Sequence, residues 1–264
     1  MSDYCRELKR ISRNDQKQKR TESLYQSGRA NQGILRLLDW VYPPCCPFCG
    51  EISKRGICDN CRERIHYISE PRCMKCGKPL KTEEQEYCYD CGRHEYAYEQ
   101  GKSLWVHMGI VPGAIYRFKF HNKRYYAKIF AGEMAARYGS WIRKNSIEEI
   151  IPVPLHPSKR RIRGFNQADL LAEELGKLMQ IPVNKKAVFR VKKTRPQKNL
   201  NDRERQKNLQ GAFGVSAGWN AVENVLVIDD IYTTGNTIHR VAGMLRKAGA
   251  QKVYFLTISI GQGL

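Results

Sequence analysis

Four Cys-x-x-Cys pairs within 46 residues constrain this chain more than any other feature of its sequence. The pairs are Cys46 and Cys49, Cys58 and Cys61, Cys73 and Cys76, and Cys88 and Cys91. Each turn lets two thiolates reach one ion, and four sulfurs form a closed zinc site that leaves no position for water or substrate. A redox-active pair is the main alternative, but four pairs in so short a segment favour zinc. The sequence therefore predicts two structural Zn²⁺ sites in a double zinc ribbon.

The spacing favours pairing the first motif with the second and the third with the fourth, across 8 and 11 intervening residues. An interleaved pairing, first with third and second with fourth, stays open at this point. Cys45 is an alternative ligand to its neighbour Cys46, although the Cys-x-x-Cys spacing favours Cys46.

Charge and composition divide the 264 residues into three segments. Residues 1–32 are polar and indicate a flexible basic arm, residues 33–100 hold the double zinc ribbon, and residues 101–264 form a larger domain. That domain carries 28 basic and 11 acidic side chains, or +17 of the formal charge of +20, so a polyanionic partner should meet this part first. A solvated basic surface without a partner is the alternative. The first 32 residues lack a secretory signal and no apolar run is long enough for a membrane span. We therefore expect a cytoplasmic protein.

Alternating strands and helices in the larger domain predict an α/β fold with a parallel sheet flanked by helices. We expect strands at 114–120, 149–153, 187–191, 225–228 and 253–260. The predicted helices cover 125–143, 167–179 and 235–247, and a short helix precedes the cysteines near 34–41. The polar stretch 192–210 has the length and composition of a functional lid loop.

The segment around residues 225–237 carries the clearest binding motif. An apolar strand leads into two carboxylates and then into a turn of small residues that opens a helix. The residues of this motif are Asp229, Asp230, Thr233, Thr234, Gly235, Asn236 and Thr237. Amides at a helix N-terminus bind phosphate, and paired carboxylates at the carboxyl end of a parallel strand suit the vicinal hydroxyls of a ribose.

This motif resembles the phosphoribosyl pyrophosphate (PRPP) signature of type I phosphoribosyltransferases. The resemblance implies that Asp229 and Asp230 bind the ribose hydroxyls, that residues 233–237 wrap the 5′-phosphate, and that Mg²⁺ binds with PRPP. It also implies a pyrophosphate loop and a flexible catalytic loop. The former would contain Lys159, Arg160, Arg161 and Arg163, and the latter Lys192, Lys193, Thr194, Gln197 and Arg203.

The cysteine module followed by PVPLHPxxxxxRGFNQA, TxxQxxLxxxxRxxN and VxxIDDIYTTGxT is similar to the ComF family of late competence proteins. That resemblance implies handling of single-stranded DNA during natural transformation, with the helicase ComFA and the recombination mediator DprA as expected partners. An active phosphoribosyltransferase acting on an unidentified base is the alternative. Lys192 or Lys193 would then transfer the proton, but the chain has no recognisable nucleobase hood.

Residues 116–126 interleave aromatic and basic side chains, a pattern typical of single-strand binding. The candidate DNA contacts are Arg117, Lys119, Lys123 and Arg124. The alternative is that Tyr116, Phe118 and Phe120 alternate along a strand and pack into the core. The basic residues at 159–163 suit either PRPP or a DNA phosphate, and the sequence does not separate the two.

Overall fold

The computed structural model describes residues 44–191 and 211–261. The chain divides into two compact units, a smaller one of residues 1–46 and 51–56 and a larger one of residues 47–50 and 57–264. In the described part of the smaller unit, Cys45 and Ile52 form an antiparallel bridge, and the Cys46 amide donates to the Glu51 carbonyl at 2.7 Å. The predicted helix near 34–41 and the polar stretch 192–210 lie outside the described residues.

All regular elements of the described residues lie in the larger unit. The helices are α1 (Asp59–Glu63), α2 (Tyr89–Arg93), α3 (Val111–Phe120), α4 (Tyr126–Lys144), α5 (Pro157–Arg163), α6 (Gln167–Met179) and α7 (Asn236–Lys247). The strands are β1 (Gly101–Val106), β2 (Glu149–Pro152), β3 (Val188–Arg190), β4 (Phe213–Val215), β5 (Asn224–Tyr232) and β6 (Lys252–Ile260).

Four of the strands form a parallel sheet in the order β1-β6-β5-β2, and β3 and β4 form a separate antiparallel pair. The central strands β5 and β6 pair from Asn224 opposite Lys252 to Tyr232 opposite Ile260. Their apolar side chains are almost wholly buried because helices cover the sheet, as expected for parallel strands. The parallel sheet, its helices and the preceding cysteine module confirm the predicted fold class.

The strand predicted at 114–120 is wrong, because these residues belong to helix α3. The buried residues of α3 are Val111, Ala114, Ile115 and Phe118, which recur at helical spacing. Tyr116 and Phe120 are 54% and 49% exposed, so the alternating aromatics do not form one buried face. In α3 the aromatic residues at alternate positions point to different sides, and the buried residues at 111, 114, 115 and 118 show the helical period.

The other predicted elements among the described residues are present with shifted ends, and three short elements after residue 100 were not predicted. The helices at 125–143 and 167–179 are confirmed as α4 and α6, and β5 extends four residues beyond the predicted end at 228. Strand β1, helix α5 and strand β4 went unpredicted. Strand β1 begins with Gly101, Lys102 and Ser103, whose polarity hides a strand that is buried along its whole length.

Among the described residues, no helix combines the length and apolar character needed to cross a membrane.

Candidate zinc sites and ligand cavity

The cysteines of the second ribbon form a compact group of four sulfurs. The Sγ atoms of Cys73, Cys76, Cys88 and Cys91 all lie within 4.8 Å of one another, and those of Cys76 and Cys88 are 3.6 Å apart. A tetrahedral Zn²⁺ with Zn–S bonds of about 2.3 Å requires sulfurs about 3.8 Å apart. The group therefore fits Zn²⁺ as a closed, structural site.

The first ribbon shows the same arrangement within the larger unit. The Sγ atoms of Cys49, Cys58 and Cys61 lie within 4.8 Å of one another, with those of Cys49 and Cys58 3.6 Å apart. Cys46, the predicted fourth ligand, is buried in the smaller unit. These groups confirm the sequential pairing of the motifs, since an interleaved pairing would bring Cys58 and Cys61 to the fourth motif.

The ligand cavity opens where β5 extends beyond its neighbour β2. The pairing of β2 with β5 ends at Pro152 opposite Ile228, and the chain then leaves the sheet through Pro154 and Leu155. Strand β5 continues to Tyr232 with only β6 beside it among the strands of this sheet. Asp229 and Asp230 therefore lie at an open edge of the sheet, at the carboxyl ends of its strands, where α/β folds bind ligands.

A cavity of about 430 Å³ forms at this edge. Its charged lining consists of the carboxylates Asp229 and Asp230 and the cations Lys119, Lys159, Arg163 and Arg190. The residues of the turn at 233–237 complete the wall. Four cations against two carboxylates give the cavity a net positive charge, so it suits a ligand that carries both hydroxyl groups and several negative charges.

The carboxylates differ in their surroundings. Lys119 Nζ lies 2.8 Å from Asp230 Oδ2, in an ion pair in which both side chains are mostly buried. Burial, followed by the charge of Asp230, raises the pKa of Asp229 to about 7, against the weaker lowering effect of Lys119 and Arg190. Asp229 is therefore about half ionised at neutral pH, because burial disfavours its charged form more than the surrounding cations favour it.

The cations of the cavity lie close enough to affect one another. Burial lowers the pKa of Lys159, and the charges of Arg190 and Arg163 lower it further. Burial also lowers the pKa of Arg163 and of Arg190. An anion bound among these groups would offset both effects, since its charge would favour the charged forms of the cations that burial and mutual repulsion disfavour.

The turn at residues 233–237 depends on a glycine. Gly235 has φ +75° and stands directly before α7, so that the N-terminal end of this 12-residue helix forms part of the cavity wall. A Cβ at Gly235 would lie 2.4 Å from Tyr232 Oη, and a side chain is disfavoured at this φ in any case. The turn therefore requires glycine for its backbone conformation and for its close approach to Tyr232.

Replacing Gly235 with alanine should destabilise the protein by about 2–4 kcal/mol, from the left-handed backbone and the overlap with Tyr232. Gly243→Ala, inside α7, is the matched control. Its Cβ would meet only Ala97 Cβ at 3.6 Å, an ordinary contact, and should stabilise the helix by about 0.5–1 kcal/mol. Urea unfolding of both variants checks this, and a Gly235→Ala protein as stable as the wild type would contradict the steric argument.

The segment that follows the second ribbon supports the same turn. Tyr96 Oη donates to the Thr234 carbonyl at 2.9 Å, and the Ala97 amide donates to His239 Nδ1 at 3.0 Å. The hydroxyls of Tyr98 and Tyr232 lie 2.7 Å apart within the core, with both rings against Phe255. The ribbon cysteines Cys73 and Cys76 belong to this same buried cluster. The second zinc site and the turn are therefore parts of one packed region.

Some of the predicted site residues line the cavity and others do not. All seven residues of the motif at 229–237 line it, as do Lys159 and Arg163, whereas Arg160 and Arg161 are exposed on α5 and do not. The candidates for the flexible loop lie outside the described residues. They are Lys192, Lys193, Thr194, Gln197 and Arg203.

The four DNA-contact candidates separate into different environments. The Arg117 guanidinium donates to the carbonyls of Pro47 and Phe48 at 2.8 and 2.6 Å, which gives it a structural role in the ribbon segment. Lys119 pairs with Asp230 in the cavity. Lys123 and Arg124 are exposed, and the Arg124 guanidinium lies 5.0 Å from the Phe165 ring centroid.

His107 and Arg190 are among the cavity residues that the sequence analysis missed. His107 follows β1, and its Nδ1 lies 2.9 Å from Ser259 Oγ. Arg190 ends β3. A polar residue directly after a parallel strand indicates a binding site, and His107 has this position. The signal could be used only if β1 was recognised as a strand, which the sequence analysis did not do. For Arg190 the sequence carried no signal, because its strand belongs to the separate antiparallel pair.

Together, the two four-cysteine groups and the parallel sheet with its cationic cavity define a zinc-ribbon protein with an α/β domain. The model of the double zinc ribbon domain matches residues 37–92, which include all eight predicted zinc ligands. Competence protein F of Haemophilus influenzae is 32% identical over 207 residues, which cover 76% of this chain and 89% of that protein. The chain belongs to the competence protein F (ComF) family, so the resemblance seen in the motifs is confirmed.

Two further relatives have lower identities to this chain. The chain is 28% identical to competence protein ComFC of Streptococcus pneumoniae over 199 residues, covering 75% of this chain and 84% of that protein. It is 26% identical to DNA utilization protein YhgH of Escherichia coli over 201 residues, covering 75% and 87%. Among solved structures, a PRPP amidotransferase from B. subtilis, complexed with ADP and GMP, superposes with a TM-score of 0.32 and 19% identity. That superposition spans 51% of this chain and 25% of the other.

Proposed function

We propose that the cavity binds PRPP or a related ribose phosphate together with Mg²⁺, and that the protein binds single-stranded DNA in competence. The observation that carries the ligand proposal is that Asp229, Asp230 and four cations line one cavity of about 430 Å³. The cavity therefore offers carboxylates for hydroxyl groups and cations for phosphates to one compact polar ligand.

Each part of PRPP has a matching group in this proposal. The carboxylates of Asp229 and Asp230 accept hydrogen bonds from the ribose 2′- and 3′-hydroxyls. The amides before α7, with the hydroxyls of Thr233, Thr234 and Thr237, receive the 5′-phosphate. Lys159, Arg163 and Arg190 lie where they would neutralise the diphosphate. Mg²⁺ would bind mainly through the ligand's own oxygens, as it does with substrate phosphates elsewhere.

The DNA half of the proposal is supported by the charge and the relatives. The +17 charge of residues 101–264 far exceeds what a single diphosphate would need. The printed names of the relatives concern competence and DNA utilization. We infer a role for this chain in the handling of DNA strands during transformation.

Isothermal titration with Mg²⁺–PRPP tests the ligand proposal. We expect binding to the wild type and an affinity at least about 100-fold weaker for Asp229→Asn/Asp230→Asn. Hydrogen bonds to a charged acceptor contribute about 1.5–3 kcal/mol each, and two are lost. Asparagine keeps the size of each side chain, and its carbonyl at position 229 would still accept from the Asp230 amide, which donates to Asp229 Oδ1 at 2.8 Å in the wild type.

A double variant on α6, Glu173→Gln/Glu174→Gln, is the matched control. It also removes two negative charges, but these carboxylates pair with Lys185 and Lys177 on the protein surface. This control should bind Mg²⁺–PRPP like the wild type. Equal affinities of the wild type and the Asp229→Asn/Asp230→Asn protein, or no binding by either, would refute the ligand proposal.

A further inference from the structure

We propose that single-stranded DNA binds across the exposed sides of α3 and α5 and reaches the rim of the ligand cavity. This surface, called the α3–α5 face, consists of Tyr116, Phe120, Lys123, Arg124, Arg160, Arg161 and Arg163. The inference rests on the DNA half of the proposed function and adds where the strand lies and how it is coupled to the cavity.

The first observation is a pair of exposed aromatic rings. Tyr116 and Phe120 lie one helical turn apart on α3, and their ring centroids are 4.9 Å apart. They are 54% and 49% exposed, and His121 adds a third ring 5.7 Å from Tyr116. Large aromatic side chains left in water on a helix of the core suit the faces of unpaired bases, which stack on such rings.

The second observation is the charge around these rings. Residues 100–132 contain six lysines and arginines and residues 150–168 contain four, and neither segment contains an aspartate or glutamate. The fold brings the two segments together. The Arg163 guanidinium lies 4.8 Å from the Phe120 ring centroid, and that of Arg124 lies 5.0 Å from Phe165. Gln167 Nε2 donates to the Lys119 carbonyl at 3.4 Å.

These two observations select a single strand as the occupant. The exposed cations, Lys123, Arg124, Arg160 and Arg161, would follow the phosphates of any nucleic acid. The rings between them would find partners only where bases are unpaired, because a duplex buries the faces of its bases in its own stack. A strand on this face would therefore use both sets of side chains, whereas a duplex would use the cations alone.

Arg163 connects this face with the cavity. Its guanidinium stacks on the exposed ring of Phe120 and also lines the cavity beside Asp230. A strand that draws Arg163 toward a phosphate removes one of the four cations from the cavity, and a bound diphosphate removes it from the strand. We therefore expect Mg²⁺–PRPP to weaken DNA binding, and DNA to weaken the binding of Mg²⁺–PRPP by the same factor.

Fluorescence anisotropy with a labelled single strand of about 20 nucleotides, at roughly 50 mM salt, tests the inference on the intact protein. Tyr116→Ala should weaken binding at least about fivefold, from the loss of one stacked base. Tyr116→Phe should restore the affinity, since it keeps the ring. Tyr87→Ala, which removes another exposed tyrosine of 48% exposure outside the face, is the matched control and should leave the affinity unchanged.

The outcomes separate this inference from the proposed function. If the wild type binds no single strand, the DNA half of the proposed function fails. If the wild type binds and Tyr116→Ala binds equally well, only the α3–α5 face is refuted. A duplex of the same sequence that binds the wild type as tightly as the single strand would also refute it. Isothermal titration should show that Tyr116→Ala keeps the wild-type affinity for Mg²⁺–PRPP, because Tyr116 does not line the cavity.

Discussion

Exchanging Cys88 and Cys91 for serine should remove one of two zinc ions and weaken or abolish the binding of Mg²⁺–PRPP, although neither cysteine lines the cavity. Structural zinc sites contribute directly to folding energy, with apparent values of about 10–16 kcal/mol in zinc-finger peptides. Here the second ribbon packs into the cluster that contains Tyr96, Tyr98 and Tyr232. Loss of the metal should release the contact between Tyr96 and the Thr234 carbonyl, and with it the phosphate-binding turn.

Zinc content, thermal unfolding and isothermal titration check this result. Cys58→Ser/Cys61→Ser, in the first ribbon, is the matched control. It should also lose one zinc ion per chain but keep the Tyr96 contact. Tyr96→Phe tests the same coupling without touching a metal ligand, and loss of one hydrogen bond of about 0.5–1.5 kcal/mol should weaken ligand binding several-fold at most. A zinc-depleted second-ribbon variant that still binds Mg²⁺–PRPP with wild-type affinity would contradict the coupling.

Asp229→Asn should make the free protein more stable at pH 8 while it weakens ligand binding. The pKa of Asp229 is raised to about 7 in the folded protein, from an ordinary value of 3.8. A raised carboxyl pKa means that the folded state favours the protonated form. The protonated Asp229 carboxyl therefore contributes fully to the stability of the folded protein below about pH 4. This contribution is lost as the pH rises through 7. Above pH 7 the ionised carboxylate costs up to about 4 kcal/mol, which asparagine does not incur.

Urea unfolding of the wild type and Asp229→Asn between pH 5 and 8 checks the direction of this effect. The free energy of unfolding of Asp229→Asn should exceed that of the wild type by an amount that grows with pH. The difference between the two proteins is the relevant quantity, since acid releases zinc from both. Glu173→Gln, on the surface of α6, should show no such growth. A constant difference across this pH range would show that the pKa of Asp229 is not raised. Stability given up at a binding residue is a common feature of functional sites.

Much of the fold followed from local patterns in the sequence. The Cys-x-x-Cys spacing predicted both zinc sites and their sequential pairing, because ligand geometry is local to each turn. The apolar runs at 225–228 and 253–260 predicted the central strands, which are buried on both faces. Residues 114–120 were assigned to the wrong element, because aromatic residues at alternate positions suggest one buried face of a strand, whereas in α3 only Phe118 of the three is buried.

The candidate site was predictable only in part. Asp229, Asp230 and the turn at Gly235 formed one continuous motif, whose strand, turn and helix are fixed by neighbours in the chain. Lys119 was assigned to DNA, but it pairs with Asp230 from a distant part of the sequence. His107 and Arg190 complete the cavity from elements that carried no motif.

The sequence by itself determined the metal ligands, the positive charge of residues 101–264, the order of the main strands along the chain and the residues of the turn at 233–237. These properties depend on residue type and on spacing within single segments. Only the tertiary structure decided that β2 ends before β5 and opens the cavity, that tyrosines after the second ribbon support the turn, and that Arg163 reaches both Phe120 and the cavity. Those contacts depend on side-chain packing between distant segments, for which one sequence carries no local pattern.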